Sequence, residues 1–266
     1  MKKNTKKIVT AAGIAAGTAA VASLSAYVTI KALIDTALDR EMPKVMEKAD
    51  KRISGEKSSD EFTNRMESAS ESLAVQPNET VEIIAHDGEK LVGHYFPCEK
   101  PERVIIAFHG WRSSWHRDFG MISDFWYKNN CSVLYVEQRG QNNSSGEYMG
   151  FGLTERFDCL DWLNWEIERC GSDIPVYLAG VSMGATTVLM AAGLQLPPNV
   201  HGIMADCGFT SANAIWEHIA KDNLHIRFGI RSAIADRMCR RKIQVGSKEH
   251  STVDALKHTH VPVILV

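Results

Sequence analysis

From residue 80 onward, apolar and polar positions alternate between two periods. Short apolar runs rich in branched side chains are separated by longer stretches of helical period, which predicts strands and helices in turn. Residues 81–86 and 90–96, joined at Asp87-Gly88, predict a hairpin with a tight two-residue turn. Residues 103–108, 132–136, 175–179, 202–205 and 261–266 predict further strands. Residues 119–128, 153–169, 185–193 and 252–257 predict helices, and residues 211–243 a polar, helix-prone excursion. Strands alternating with helices predict an α/β fold: a mostly parallel, twisted sheet with helices on both faces.

The N-terminal part is patterned differently. Lys2, Lys3, Lys6 and Lys7 precede a charge-free, Ala-rich stretch from Ile8 to Ile30. At 1.5 Å per residue that stretch is long enough for a hydrocarbon core of about 30 Å. It predicts a transmembrane helix. A cleaved signal peptide is the main rival, but its apolar region is shorter, and no small-x-small cleavage site interrupts the pattern, which runs on helically to Leu38. A buried soluble helix is a third reading. The lysines would stay in the cytoplasm and place the body outside, in a single-pass arrangement at the cell membrane. Residues 39–79 are charged and Ser-rich and predict a stalk or linker. The organisation expected is therefore 1–38 lysines and anchor, 39–79 stalk, and 80–266 an α/β domain with a small cap at about 211–243.

Composition removes some classes of function. The 266 residues are 44% hydrophobic and 23% charged, with a formal net charge of -2 and no basic stripe in the body. That argues against nucleic acid as a partner. The 6 cysteines stand singly, none in a C-x-x-C pair. No metal or nucleotide motif is present, so neither a metal nor a cofactor is expected.

The chemistry concentrates in Gly180-Val181-Ser182-Met183-Gly184, between an apolar run and a helical one. A strand that reverses into a helix within a few residues brings the positions two before and two after the apex too close for side chains. Glycine is favoured at both, and the apex serine is pushed out with its hydroxyl exposed. His109-Gly110-Trp111 follows the third strand. Arg139-Gly140, with Ser144 and Gly146, follows the fourth, and Asp206-Cys207-Gly208-Phe209 the sixth.

In order and spacing these motifs resemble the α/β-hydrolases, in particular membrane-anchored bacterial serine hydrolases related to the serine aminopeptidase-like family. The resemblance covers residues 80–266. It implies Ser182 as nucleophile, with the backbone N–H groups of Met183 and Trp111 as oxyanion donors. It implies a loop-shaping role for His109, not that of the base. Arg139 reads as a brace for the Gly-rich loop, with a substrate contact as the alternative. Glu137 stands where the family usually has an aspartate.

In this fold the acid and then the histidine follow the nucleophile. Both usual positions would lie beyond Val266, so the sequence reads as an α/β-hydrolase lacking its last strand and helix. His201, His258 and His260 precede strands and belong at the opposite end of the sheet. His218, His225 and His250 are not placed on the serine by anything in the pattern. Asp206 is the remaining acid candidate, with a structural capping role as its alternative. The function expected is a serine hydrolase acting on an ester, thioester or amide through an acyl-enzyme, with a small acyl or peptide-like substrate. As given, the chain would be nearly inactive. A non-catalytic, membrane-tethered binding domain is the alternative.

Overall fold

The hairpin at Asp87-Gly88 opens a sheet of 7 strands. The computed structural model describes residues 24–42, 60–223, 225–229 and 231–266. In chain order the strands are β1 (Glu79–Ile84), β2 (Lys90–Phe96), β3 (Arg103–Phe108), β4 (Cys131–Glu137), β5 (Val176–Val181), β6 (Val200–Asp206) and β7 (Val263–Leu265). In space they lie in the order β1-β2-β4-β3-β5-β6-β7. β2 runs antiparallel to both β1 and β4, and every later pairing is parallel. The mostly parallel sheet expected from the alternation of elements is the one that forms.

The helices are α1 (residues 24–38), α2 (Glu61–Ala74), α3 (Trp115–Lys128), α4 (Glu155–Cys170), α5 (Met183–Ala191), α6 (Ala212–His218), α7 (Arg231–Ile243) and α8 (Thr252–Leu256). A π-helical turn, Ile219–Asn223, continues α6. Side chains of the central strands alternate between two cores, as the period of a strand requires. Ile106 and Phe108 of β3 and Leu134 and Val136 of β4 pack with Trp162 and Leu163 of α4 and Val188 of α5. Ile105, Ala107, Val133 and Tyr135 face the other way, against Trp115, Phe119 and Trp126 of α3. Helices therefore cover both faces, and β4 is buried along its whole length. α3 begins at Trp115, ahead of the expected start. Ser114 holds the extended N-cap conformation and Asp118 lies in the first turn.

The N-terminal segments depart from the sequence reading. α1 buries Ile30, Ile34 and Leu38 completely. These positions, four apart, form one helical face. That face meets Met149, Phe151, Met183 and Trp216 in a third core, which also contains Ala235 and Met238 of α7. Residues 24–30 of the expected span thus belong to a helix with a protein-facing side. No helix among the described residues is long and apolar enough to cross a membrane. Residues 8–23 of the expected span, and 43–59 of the expected stalk, lie outside the described residues. Within the stalk, α2 lies against α3. A Cβ on Gly120 of α3 would stand 2.7 Å from the backbone of Ala69 and Ser70, so glycine there permits the close approach.

Candidate active site

Ser182 stands between the last residue of β5 and the first of α5, with φ 52 and ψ -110. A non-glycine residue at positive φ is strained, and such strain is held only where the surroundings fix it. Here they do. The Ser182 N–H donates to the carbonyl oxygen of Asp206 at 2.8 Å, extending the β5–β6 pairing to the apex. A Cβ at Gly184 would overlap the carbonyl oxygen of Phe108, and one at Gly180 the carbonyl of Gly184. Both glycines of the pentad are therefore required by backbone-to-backbone contact.

Two backbone segments flank Ser182. Met183 opens α5, so its N–H has no acceptor within the helix and carries the positive end of the helix dipole. The second position is the loop after β3. A Cβ on Gly110 would lie 3.5 Å from Ser182 Cβ and 3.3 Å from Asp118 Oδ2, which places the loop directly against the serine. Asp118 accepts from the Gly110 N–H and from Ser113 Oγ, each at 2.6 Å. Arg112 takes φ 49, and its N–H donates to Gln141 Oε1 at 2.6 Å. The backbone around Trp111 is thus fixed on both sides.

His109 is wholly buried and has no free nitrogen. Nδ1 donates to the Gly110 carbonyl at 2.7 Å, while Nε2 accepts from the Gln138 N–H at 3.2 Å and faces Asn142 Nδ2 at the same distance. Burial pushes its pKa down, so the ring is a neutral brace. Gln138 in turn donates to the His109 carbonyl and accepts from Thr187 on α5 at 2.9 Å. One polar chain therefore joins the loop after β3, the loop after β4 and α5.

Arg139 is held by two carboxylates. Its Nε donates to Asp158 Oδ2 at 2.7 Å, a second nitrogen reaches Asp158 Oδ1, and Nη1 donates to Asp87 at 2.7 Å. Against the cost of burial, the two carboxylates hold the guanidinium above its ordinary value. Glu137 is buried and accepts from His94 Nε2 at 2.8 Å, Asn143 N–H at 2.6 Å and Asn143 Nδ2 at 3.0 Å. Burial alone would raise its carboxyl, but these donors outweigh it and hold the pKa below the ordinary value. His86, Asp158 and Asp161 place ligand-type atoms within 4.8 Å of one another. They form an ion-pair node, because Asp158 is occupied by Arg139 and His86 Nδ1 lies 2.8 Å from Asp161.

The remaining expected members are not assembled. Asp206 is exposed at the end of β6, and it meets Ser182 through its backbone carbonyl. Among the described residues no hydrogen bond joins a histidine to Ser182 or to the Asp206 carboxylate. His201 is the second residue of β6, at the end of the strand opposite Asp206. His218 pairs with Asp222, and His250 and His258 line a separate cavity. Cys207, beside the serine at φ 47, is exposed.

Two features of the site escaped the sequence. One is Asp118, whose role becomes visible only once α3 is seen to begin at Trp115. The other is residues 24–42, which strap the loops around Ser182. The Trp111 indole donates to the Ala37 carbonyl at 2.9 Å. Arg112 donates to the carbonyls of Thr36, Asp39 and Arg40. Arg40 donates to those of Asn142 and Ser144, each at 2.6 Å. Lys242 of α7 binds Asp35 and Asp39 from the other side.

No family model and no curated protein matches this chain. Among solved structures, an esterase of Pyrococcus furiosus is similar with a TM-score of 0.57 and 19% identity, over 73% of this chain and 71% of that one. Est1E of Butyrivibrio proteoclasticus, solved with ferulic acid bound, is similar with a TM-score of 0.53 and 17% identity, over 70% of this chain and 77% of that one. At such identities the likeness is one of fold: a mostly parallel sheet with helices on both sides.

Proposed function

We propose that this chain is a serine hydrolase of the α/β-hydrolase fold, acting on an ester, thioester or amide. The observation that carries the reading is the strained backbone of Ser182, held between the start of α5 and the braced loop at Trp111. In the reaction the Ser182 hydroxyl attacks the acyl carbon while a base takes its proton. The developing oxyanion is met by the N–H groups of Met183 and Trp111, the leaving group departs protonated, and water then releases the acid. Fixed backbone donors of this kind supply a large share of such catalysis.

In this reading Ser182 is the nucleophile and the N–H groups of Met183 and Trp111 are the oxyanion donors, but among the described residues no histidine is hydrogen-bonded to the serine. The 266-residue chain is accordingly proposed to be nearly inactive. It would keep roughly the 10³–10⁴-fold advantage over water that binding and oxyanion stabilisation give without a triad member. Asp206 is kept as the acid candidate. Further parts of the proposal are membership of the serine aminopeptidase-like group, a small acyl or peptide-like substrate, and a membrane tether provided by the lysines and apolar run ahead of α1.

The lack of a serine–histidine bond among the described residues also favours a second reading, a non-catalytic binding domain. A fluorophosphonate probe separates the two. The hydrolase reading expects a slow adduct, mapped by mass spectrometry to Ser182 and lost in Ser182→Ala. An adduct confined to other residues, or none on prolonged incubation, would count against it.

A further inference from the structure

A cavity of about 230 Å³ lies at the far end of α5 from Ser182. It is lined by Arg156, Met190, Gly193, Leu194, His250 and residues of α8 and its two flanks. At 1.5 Å per residue, α5 separates it from Ser182 by about 13 Å.

Arg156 is the unusual member. It sits in the first turn of α4, is only 7% exposed, and its Nε is buried with no hydrogen-bond partner. The guanidinium lies 4.6 Å from the Phe157 ring centroid, and among the described residues it has no ion-pair partner. Burying a charge without a partner is costly, so such groups are normally paired. The two acids that line the cavity are already engaged. Glu249 pairs with Arg240, and Asp254 with Lys257 at 2.7 Å and with Ser251 Oγ at 2.7 Å. Both are exposed at the rim, as is His258, while Arg156 is buried below them. The last turn of α5 does not answer the charge either, because the Met190 and Ala191 carbonyls accept from the N–H groups of Gly193 and Leu194. Burial and the neighbouring Arg156 lower the pKa of His250, whose ring therefore adds a neutral donor beside the cation.

We propose that this cavity binds a small oxyanion, a phosphate or carboxylate group, with the Arg156 guanidinium as its principal ligand and His250 beside it. The volume is ample for one such group. Guanidinium geometry matches two oxygens of either group through paired N–H donors. The site is separate from the acyl chemistry at Ser182 and does not depend on it.

The test is calorimetric titration of the full chain with inorganic phosphate, sulfate and acetate, each against chloride at equal ionic strength. Saturable binding of phosphate or sulfate assigns a tetrahedral ligand, and saturable binding of acetate assigns a carboxylate. Arg156→Gln should weaken binding at least tenfold, whereas Glu249→Gln at the rim should leave it equal or tighter. Sulfate keeps its charge across neutral pH. Its binding should strengthen as pH falls through the His250 titration, set among Arg156, His258, Glu249 and Asp254. Circular dichroism establishes that each variant is folded. If Arg156→Gln is not, Arg156→Lys takes its place, with binding weakened because the fork is lost. Heats no different from chloride, or unchanged affinity in a folded Arg156 variant, would overturn the proposal.

Discussion

The Trp111 indole donates to the carbonyl oxygen of Ala37 at 2.9 Å, tying the loop proposed to supply an oxyanion donor to the last turn of α1. Trp111→Phe removes that donor and keeps the ring, at a cost of about 1 kcal/mol. Arg112→Ala releases three carbonyls of the same segment and should cost more, about 2 kcal/mol. Hydrogen exchange should show residues 30–40 losing protection in both variants, more in the second. Unchanged protection would mean that the hydrophobic face of α1 alone holds it in place.

The elbow is a matter of backbone contact. Gly184→Ala places a methyl group on the Phe108 carbonyl oxygen, and neither β3 nor α5 can retreat without opening the core. The expected loss is about 3 kcal/mol or more, read as a lowered midpoint in urea unfolding. A midpoint within error of the parent would show that α5 is not seated on β3 as described.

Arg139 is a brace, and its removal should behave as a broken buried pair. Arg139→Leu leaves Asp158 buried without a counter-charge, at a cost of about 3–5 kcal/mol. The double variant Arg139→Leu/Asp158→Leu should recover much of that loss, because neither charge is then stranded. Additive losses in the cycle would contradict the brace.

Glu137 makes stability depend on pH in a definite direction. Its folded-state pKa lies below the ordinary value of 4.5. The stabilisation is therefore complete above that value and is lost as pH falls through the lower, folded one. Glu137→Gln should flatten the acid limb of the stability curve and cost about 1–3 kcal/mol at neutral pH, through the donors left by His94 and Asn143. An acid limb identical to the parent's would remove Glu137 as its source.

The sheet was legible because its signals are local. Ile105 to Phe108 and Val133 to Val136 are continuous apolar runs, which is how strands buried on both faces read. The elbow was legible because its glycines answer to contacts within a few residues of Ser182, or to the strand alongside. α1 was not. Ile30, Ile34 and Leu38 supply the same apolar letters whether a helix meets lipid or protein, and only their meeting with Met149, Met183 and Trp216 tells which. Asp118 was hidden by a boundary. With the helix expected from Phe119, its carboxylate fell in a loop, and nothing tied it to Gly110. Arg156 was hidden because an arginine in a helix reads as solvated until its burial is seen.

Ser182 is proposed to be a nucleophile beside the N–H groups of Met183 and Trp111, with no base bonded to it among the described residues. The most direct measurement is p-nitrophenyl acetate hydrolysis by the 266-residue chain and its Ser182→Ala variant, with and without added imidazole. Imidazole can accept the Ser182 proton as the acyl bond forms and p-nitrophenolate departs, water completing the cycle. The expected result is a slow rate that imidazole raises more in the parent than in Ser182→Ala, beyond imidazole's own hydrolysis. Fast hydrolysis without imidazole, abolished by Ser182→Ala, would show that a base is already present. Identical behaviour of the two chains throughout would show that Ser182 is not the nucleophile.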